Sequence, residues 1–97
     1  MAVYVDWLID WGWKLRGRPT PSCHMTADTP AELHAMAAQL GMRREWYQDQ
    51  GTIPHYDLTP ARRAAAVQAG AVELSRAALR ATYRRIRAQW DWPRGPR

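Results

Sequence analysis

Among the side chains of types that hold metals or move protons, six fall at or near presumed strand ends and helix starts and form a candidate polar set: Asp6, His24, Asp28, His34, His55 and Asp57. Imidazole and carboxylate groups ligate zinc, manganese or iron, and they also serve as general acids and bases. The three histidines with Asp57 form a candidate metal set, His24, His34, His55 and Asp57, of a kind suited to zinc or manganese. Their spacing matches no local metal motif such as His-Glu-x-x-His, so only the fold could assemble them. A histidine taken singly is more commonly a hydrogen-bonded structural residue. Cys23 stands beside His24, but neighbours on a strand point to opposite faces and cannot form a working thiolate pair.

Anion binding is the second chemistry in the pattern. Thr29-Pro30-Ala31-Glu32 and Thr59-Pro60-Ala61 read as helix starts, whose free N–H groups favour phosphate. Arg62 and Arg63 fall on the first turn of the second helix, so Arg63 with the helix N-terminus could hold a phosphate. Trp46 or Tyr56 could stack on a base. No glycine-rich loop of the P-loop or dinucleotide type accompanies them, and solvated or Asp-paired arginines are the plainer reading. The third chemistry lies near the C-terminus, where Arg76, Arg80, Arg84 and Arg87 recur at helical spacing and would suit a nucleic-acid backbone. A solvated face competes with that reading.

The formal charge of +5 is unevenly distributed. Residues 1–75 carry seven basic and eight acidic side chains, whereas residues from Arg76 onward carry seven arginines and only Asp91. The body is therefore nearly neutral, and the basicity belongs to the last helix and tail. Thirteen arginines to one lysine, with sixteen alanines, is also the composition that GC-rich coding produces. A single cysteine points to a reducing compartment and a buried thiol. With neither a leader-like segment nor an apolar run of membrane length, the expectation is a cytoplasmic protein that avoids membranes.

The elements that must position these groups follow from local patterning. Ala2–Asp6 reads as a strand ending on Asp6, and Cys23–Ala27 as a second. The tryptophan-rich segment from Trp7 to Ser22 reads as a loop that wraps the domain and buries its indoles. A helix over Thr29–Leu40 presents Leu33, Met36, Ala37 and Leu40 on one face and ends at Gly41. Arg43–Gln48 forms a helical turn around Trp46, and 49–54 a polar loop. Alternation in the strand His55–Leu58 sets His55 and Asp57 on one face, Tyr56 and Leu58 on the other. A helix over Ala61–Ala69 with a wall of Ala64, Ala65 and Ala66 ends at Gly70, and Ala71–Leu74 is the last strand. Ser75 caps a long helix to about Trp90 whose buried stripe is Leu79, Tyr83, Ile86 and Trp90.

The order β-β-α-β-α-β-α predicts a single small α/β domain over residues 1–90, with a mostly parallel sheet flanked by helices and a flexible basic tail at 91–97. In a parallel sheet Asp6, Asp28 and Asp57 would all lie near strand carboxyl ends, where open α/β folds place ligands.

Val3-Tyr4-Val5-Asp6, Cys23-His24-Met25-x-Ala27-Asp28-Thr29 with Glu32-Leu33-His34-Ala35-Met36-Ala37, Arg44-x-Trp46, His55-Tyr56-Asp57, and Arg63-Ala64-x-Ala66-x-x-x-Gly70-Ala71-Val72-Glu73 carry a resemblance. Together they resemble a family of short bacterial and phage proteins, the domain of unknown function DUF4031, over roughly residues 2–75. The resemblance implies a link to nucleotide chemistry, since some relatives join the domain to phosphohydrolase-type domains. The leading expectation is a pocket for a phosphate-bearing nucleotide built from Asp6, His24, Asp28, His34, Trp46, His55, Tyr56, Asp57 and Arg63. The alternatives are a metal-dependent phosphoester hydrolase or nuclease, and a nucleic-acid or protein-binding accessory acting through the last helix. Homodimerisation through exposed tryptophans is a further expectation.

Overall fold

The computed structural model describes residues 2–49 and 53–90; part of the 49–54 loop and the whole 91–97 tail fall outside them. The strands are β1 (Val3–Val5), β2 (Lys14–Leu15), β3 (Arg18–Pro19), β4 (Cys23–Ala27), β5 (Tyr56–Leu58) and β6 (Val72–Glu73). The helices are α1 (Pro30–Gln39), α2 (Pro60–Gln68) and α3 (Arg76–Gln89), with a 3-10 turn at Arg44–Trp46.

Threonine or serine hydroxyls start all three helices. Thr29 accepts from the Glu32 N–H, Thr59 from the Arg62 N–H and Ser75 from the Ala78 N–H, each cap contributing about 1 kcal/mol. Glu32 does not reach back to the backbone; its carboxylate accepts the Thr29 hydroxyl at 2.8 Å. Gly41, at φ 76°, ends α1 with the N–H of Met42 bonded to the Ala37 carbonyl, a left-handed turn that a Cβ would strain.

The main sheet runs β5-β4-β1-β6, and it corrects the expectation of a mostly parallel sheet. β4 is antiparallel to both β1 and β5, and only β1 and β6 are parallel. The direction of β4 has a direct consequence for the polar residues. His24, near the start of β4, comes beside Asp6 at the end of β1, while Asp28 is carried to the opposite end of the sheet. Four residue steps separate His24 from Asp28, roughly 13 Å along the strand.

Register fixes the faces. Val5, Met25 and Tyr56 align across three strands, Cys23 and Leu58 across two, and all five are buried. Leu33, Met36 and Ala37 of α1 join that core. The other face carries Tyr4, His24, Thr26 and Asp57. α3 reaches it through Tyr83, Arg85 and Trp90, which bond Asp6, Tyr4 and the Ala27 carbonyl. α2 rests on β5 and β1, but with Ala66 as its buried residue; Ala64 and Ala65 are exposed, because three consecutive helical positions cannot share one face.

Residues 7–22 depart most from expectation. They form a projecting ribbon, with an Ile9–Ser22 bridge and the β2–β3 hairpin closed by Arg16 at φ 52° and Gly17 at φ 78°. Positive φ at both central residues is the type I′ turn that suits a two-residue hairpin. A two-stranded ribbon paired only with itself cannot bury both faces, so Trp11 and Trp13 are exposed rather than covered. Trp7 instead packs under Arg76, whose guanidinium carbon lies 4.7 Å from the ring.

Candidate metal centre

β4 and β5 bring three of the sequence-predicted residues together. His24 and Asp57 are direct cross-strand partners, and His55, two residues before Asp57, shares its face. His55 is held by a bridge to Gln48 at the sheet edge. The ligand atoms of His24, His55 and Asp57 lie within 4.8 Å of one another, and the two imidazoles meet edge to face with centroids 4.8 Å apart.

The partners of the ring nitrogens define what this cluster can do. His24 Nδ1 donates to Asp6 Oδ2 at 2.8 Å, and the His24 backbone N–H donates to Asp6 Oδ1 at 2.6 Å. His55 Nδ1 donates to the Ile53 carbonyl at 2.7 Å. Both Nδ1 protons are thus committed, which leaves each Nε2 as a lone pair in the neutral ring. Those lone pairs face the same oxygen: Asp57 Oδ1 is 3.9 Å from His24 Nε2 and 3.4 Å from His55 Nε2. Two lone pairs and a carboxylate repel one another unless a proton or a cation sits between them.

Surrounding groups reinforce that geometry. Asp6 is buried, yet satisfied by the two His24 donors and by the Tyr83 hydroxyl at 3.2 Å. Its hydrogen bond raises the His24 pKa against the opposing effect of burial. Asp57 is held below the usual carboxylate range by a proton on His55 Nε2, where one is present to face it, and by Gln48, whose Nε2 donates to Oδ2 at 2.6 Å. Burial pushes the Cys23 thiol up to about 12, so it is no nucleophile at neutral pH.

The cluster opens on a cleft of about 490 Å³ lined by Trp11, Trp13, Ser22, Gln48, Leu58 and Thr59 beside His24, His55 and Asp57. Asp57, with its side chain 49% exposed, stands on the open side, whereas His55 is 12% exposed.

The remaining sequence-predicted residues lie elsewhere. His34 is on the opposite face of the sheet, its Nδ1 2.9 Å from the Tyr56 hydroxyl and its ring against Tyr47, so the geometry leaves it out of the metal set. Burial, then Arg44, lowers its pKa. Asp28, carried away by the antiparallel β4, binds the Ala2 N–H, the Tyr4 hydroxyl and Arg85. Trp46 lies under Arg62, 5.3 Å from guanidinium carbon to ring centroid. Tyr56 is buried and does not face the cleft. Arg63 turns inward: its Nε donates to the Asp6 carbonyl at 2.8 Å and its Nη1 to Glu73 at 3.0 Å, so it braces β1 against β6.

Gln48 and Tyr83 belong to the site but gave no sequence signal, since a glutamine after a helical turn and a tyrosine on a buried stripe have commoner explanations. On α3, Arg80 and Arg84 are exposed, while Arg85 pairs with Asp28 at 2.6 Å. No helix among the described residues is long and apolar enough to cross a membrane.

Fold and cleft together define a small mixed α/β domain with a histidine–carboxylate cluster at one end of its sheet. Residues 3–88 match the family described as Protein of unknown function (DUF4031), and the chain belongs to that family. No curated protein and no solved structure matches it.

Proposed function

We propose that the protein binds a divalent transition metal, zinc or manganese, through His24 Nε2, His55 Nε2 and the Asp57 carboxylate, and uses it to hydrolyse a phosphoester that carries an aromatic base. The single observation that carries this reading is the pair of imidazoles whose Nδ1 protons are committed to Asp6 and to the Ile53 carbonyl while both Nε2 atoms face one carboxylate oxygen. Metal-ligating histidines almost always donate their other ring N–H to a carboxylate or backbone carbonyl, and this pair uses one of each.

Ligand atoms around a tetrahedral ion at about 2.0–2.1 Å stand roughly 3.3 Å apart; His55 Nε2 and Asp57 Oδ1, at 3.4 Å, already match, and His24 Nε2, 3.9 Å from that oxygen in a set that spans 4.8 Å, would draw inward on binding. Three protein ligands and an open side on a cleft are the pattern of a catalytic rather than a structural site. A cation there would lower the pKa of a bound water and polarise a phosphoryl oxygen. Trp11 and Trp13 on the cleft wall offer flat apolar surface to a base.

The test is metal titration by calorimetry on chelator-treated protein, followed by assays on a chromogenic phosphodiester and the matching monoester. The reading expects stoichiometric binding of zinc or manganese and metal-dependent release of the chromophore. Metal binding without turnover would leave a metal-assisted nucleotide-binding protein; no binding of either metal would remove both.

A further inference from the structure

We propose that the exposed face of the β2–β3 hairpin is a binding arm for single-stranded nucleic acid, which would make a strand rather than a free nucleotide the substrate of the cleft; the second clause rests on the hydrolytic reading above. Trp11 and Trp13 are 59% and 46% exposed, so two large indoles that line one cleft are open to water. The pairing through Trp13 puts Trp13 and Leu15 on one face of the ribbon, and the Leu15–Arg18 pair adds Arg18 to it; Gly12, at φ 80°, breaks the strand before Trp13, and the Trp11 ring centroid lies 6.3 Å from that of His24 at the cleft. The Thr20 N–H bonds the Trp13 carbonyl, extending the pairing by a step. Trp11 and Trp13 wall the metal-centre cleft, and Leu15, Arg16, Arg18 and Thr20 line a second concavity further along the arm.

Charge decides what the arm would take. From Trp11 to Ser22 there are three cations and no acid, in a protein whose first 75 residues are otherwise acidic on balance. An apolar partner would use the indoles but leave Arg16 and Arg18 uncompensated. A strand of unpaired bases uses both: π faces on the tryptophans and phosphates at the guanidinium groups. Arg16 itself occupies a positive-φ turn position where Asn, Asp or Gly is the ordinary choice, so the hairpin alone does not call for arginine there.

Fluorescence anisotropy tests this with labelled DNA and RNA single strands of about twelve nucleotides and the corresponding DNA duplex, in chelator so that nothing is cleaved. Single strands are expected to bind and the duplex to bind far more weakly; the DNA and RNA arms identify the sugar. Trp11→Ala with Trp13→Ala should weaken binding by about tenfold or more. Arg16→Gly with Arg18→Ala should flatten the slope of log affinity against log salt by about 1.4. Because Arg16→Gly suits the turn, that single variant should keep its melting temperature while losing affinity, separating lost contacts from lost folding.

Equal affinity for duplex and single strand would overturn the proposal. So would an unaffected double tryptophan variant, or loss of binding in Arg80→Ala with Arg84→Ala. Tryptophan-dependent self-association without strand binding would make the arm an interface between copies instead. Strand binding without metal-dependent hydrolysis would defeat the hydrolytic reading and leave the arm standing; hydrolysis of mononucleotide esters without strand binding would do the reverse.

Discussion

Two histidine clusters sit on opposite faces of one sheet, and they differ in how their protons are placed. On the cleft face, His24 and His55 spend their Nδ1 protons on Asp6 and the Ile53 carbonyl and turn their Nε2 atoms toward Asp57. On the face that α1 covers, His34 shares a hydrogen bond with the buried Tyr56 and has tyrosine rings around it. The first arrangement leaves converging lone pairs and an anion; the second satisfies one nitrogen against a neutral hydroxyl. Residue type alone does not distinguish them. What a histidine can do depends on which nitrogen its neighbours occupy and where the other one points.

The largest expected effect separates the two clusters by metal affinity. Asp57→Ala or His55→Ala should cost more than a hundredfold in zinc affinity by calorimetry, exceeding what loss of an outer-sphere partner causes, while His34→Ala leaves it unchanged. Asp57→Ala is the cleaner variant, because a half-exposed side chain can be removed at a stability cost of about 0.5 kcal/mol or less. An equal loss in His34→Ala would erase the distinction.

One step out from the ligands, Asp6→Asn keeps the shape of the side chain but removes the charge that orients His24. It should weaken zinc binding by about ten- to a hundredfold. On the other face, Tyr56→Phe removes the His34 partner and should lower unfolding free energy by about 1 kcal/mol in a denaturant titration, with no change in metal affinity. Metal affinity that tracked Tyr56→Phe would mean that the faces are coupled.

The smallest effect is in proton affinity, read by NMR titration of metal-free protein. His24 should titrate above an unperturbed imidazole and His34 below it. The signs for stability are opposite. The raised His24 pKa gives stability that is full below the unfolded-state pKa near 6.5 and is lost as pH rises through the folded value. The lowered His34 pKa gives stability present above about 6.5 and lost as pH falls through its folded value. Titration of both rings on the same side of 6.5 would contradict the contrast.

Much of this fold was legible because local rules settle it. Thr29, Thr59 and Ser75 cap helices as their sequence contexts predict, and alternation from His55 to Leu58 correctly separates His55 and Asp57 from Tyr56. Strand direction was not, because nothing within Cys23–Ala27 specifies whether it runs with or against β1. That single tertiary choice brings His24 to Asp6 and removes Asp28. His34 lies one turn into an amphipathic helix, and the face on which that helix lands is likewise not local information. The ribbon departs from its local pattern for a different reason. Trp11 and Trp13 look like core material by type, and Arg16-Gly17 lacks the Asn or Asp that ordinarily announces a type I′ turn.

Anomalous diffraction from a crystal of the full chain soaked with zinc tests the central claim most directly. The account predicts a peak about 2.0–2.2 Å from His24 Nε2, His55 Nε2 and an Asp57 carboxylate oxygen, with Asp6 still bonded to His24 Nδ1. A peak at His34, or density at the cleft that leaves either Nε2 out of reach, would contradict it.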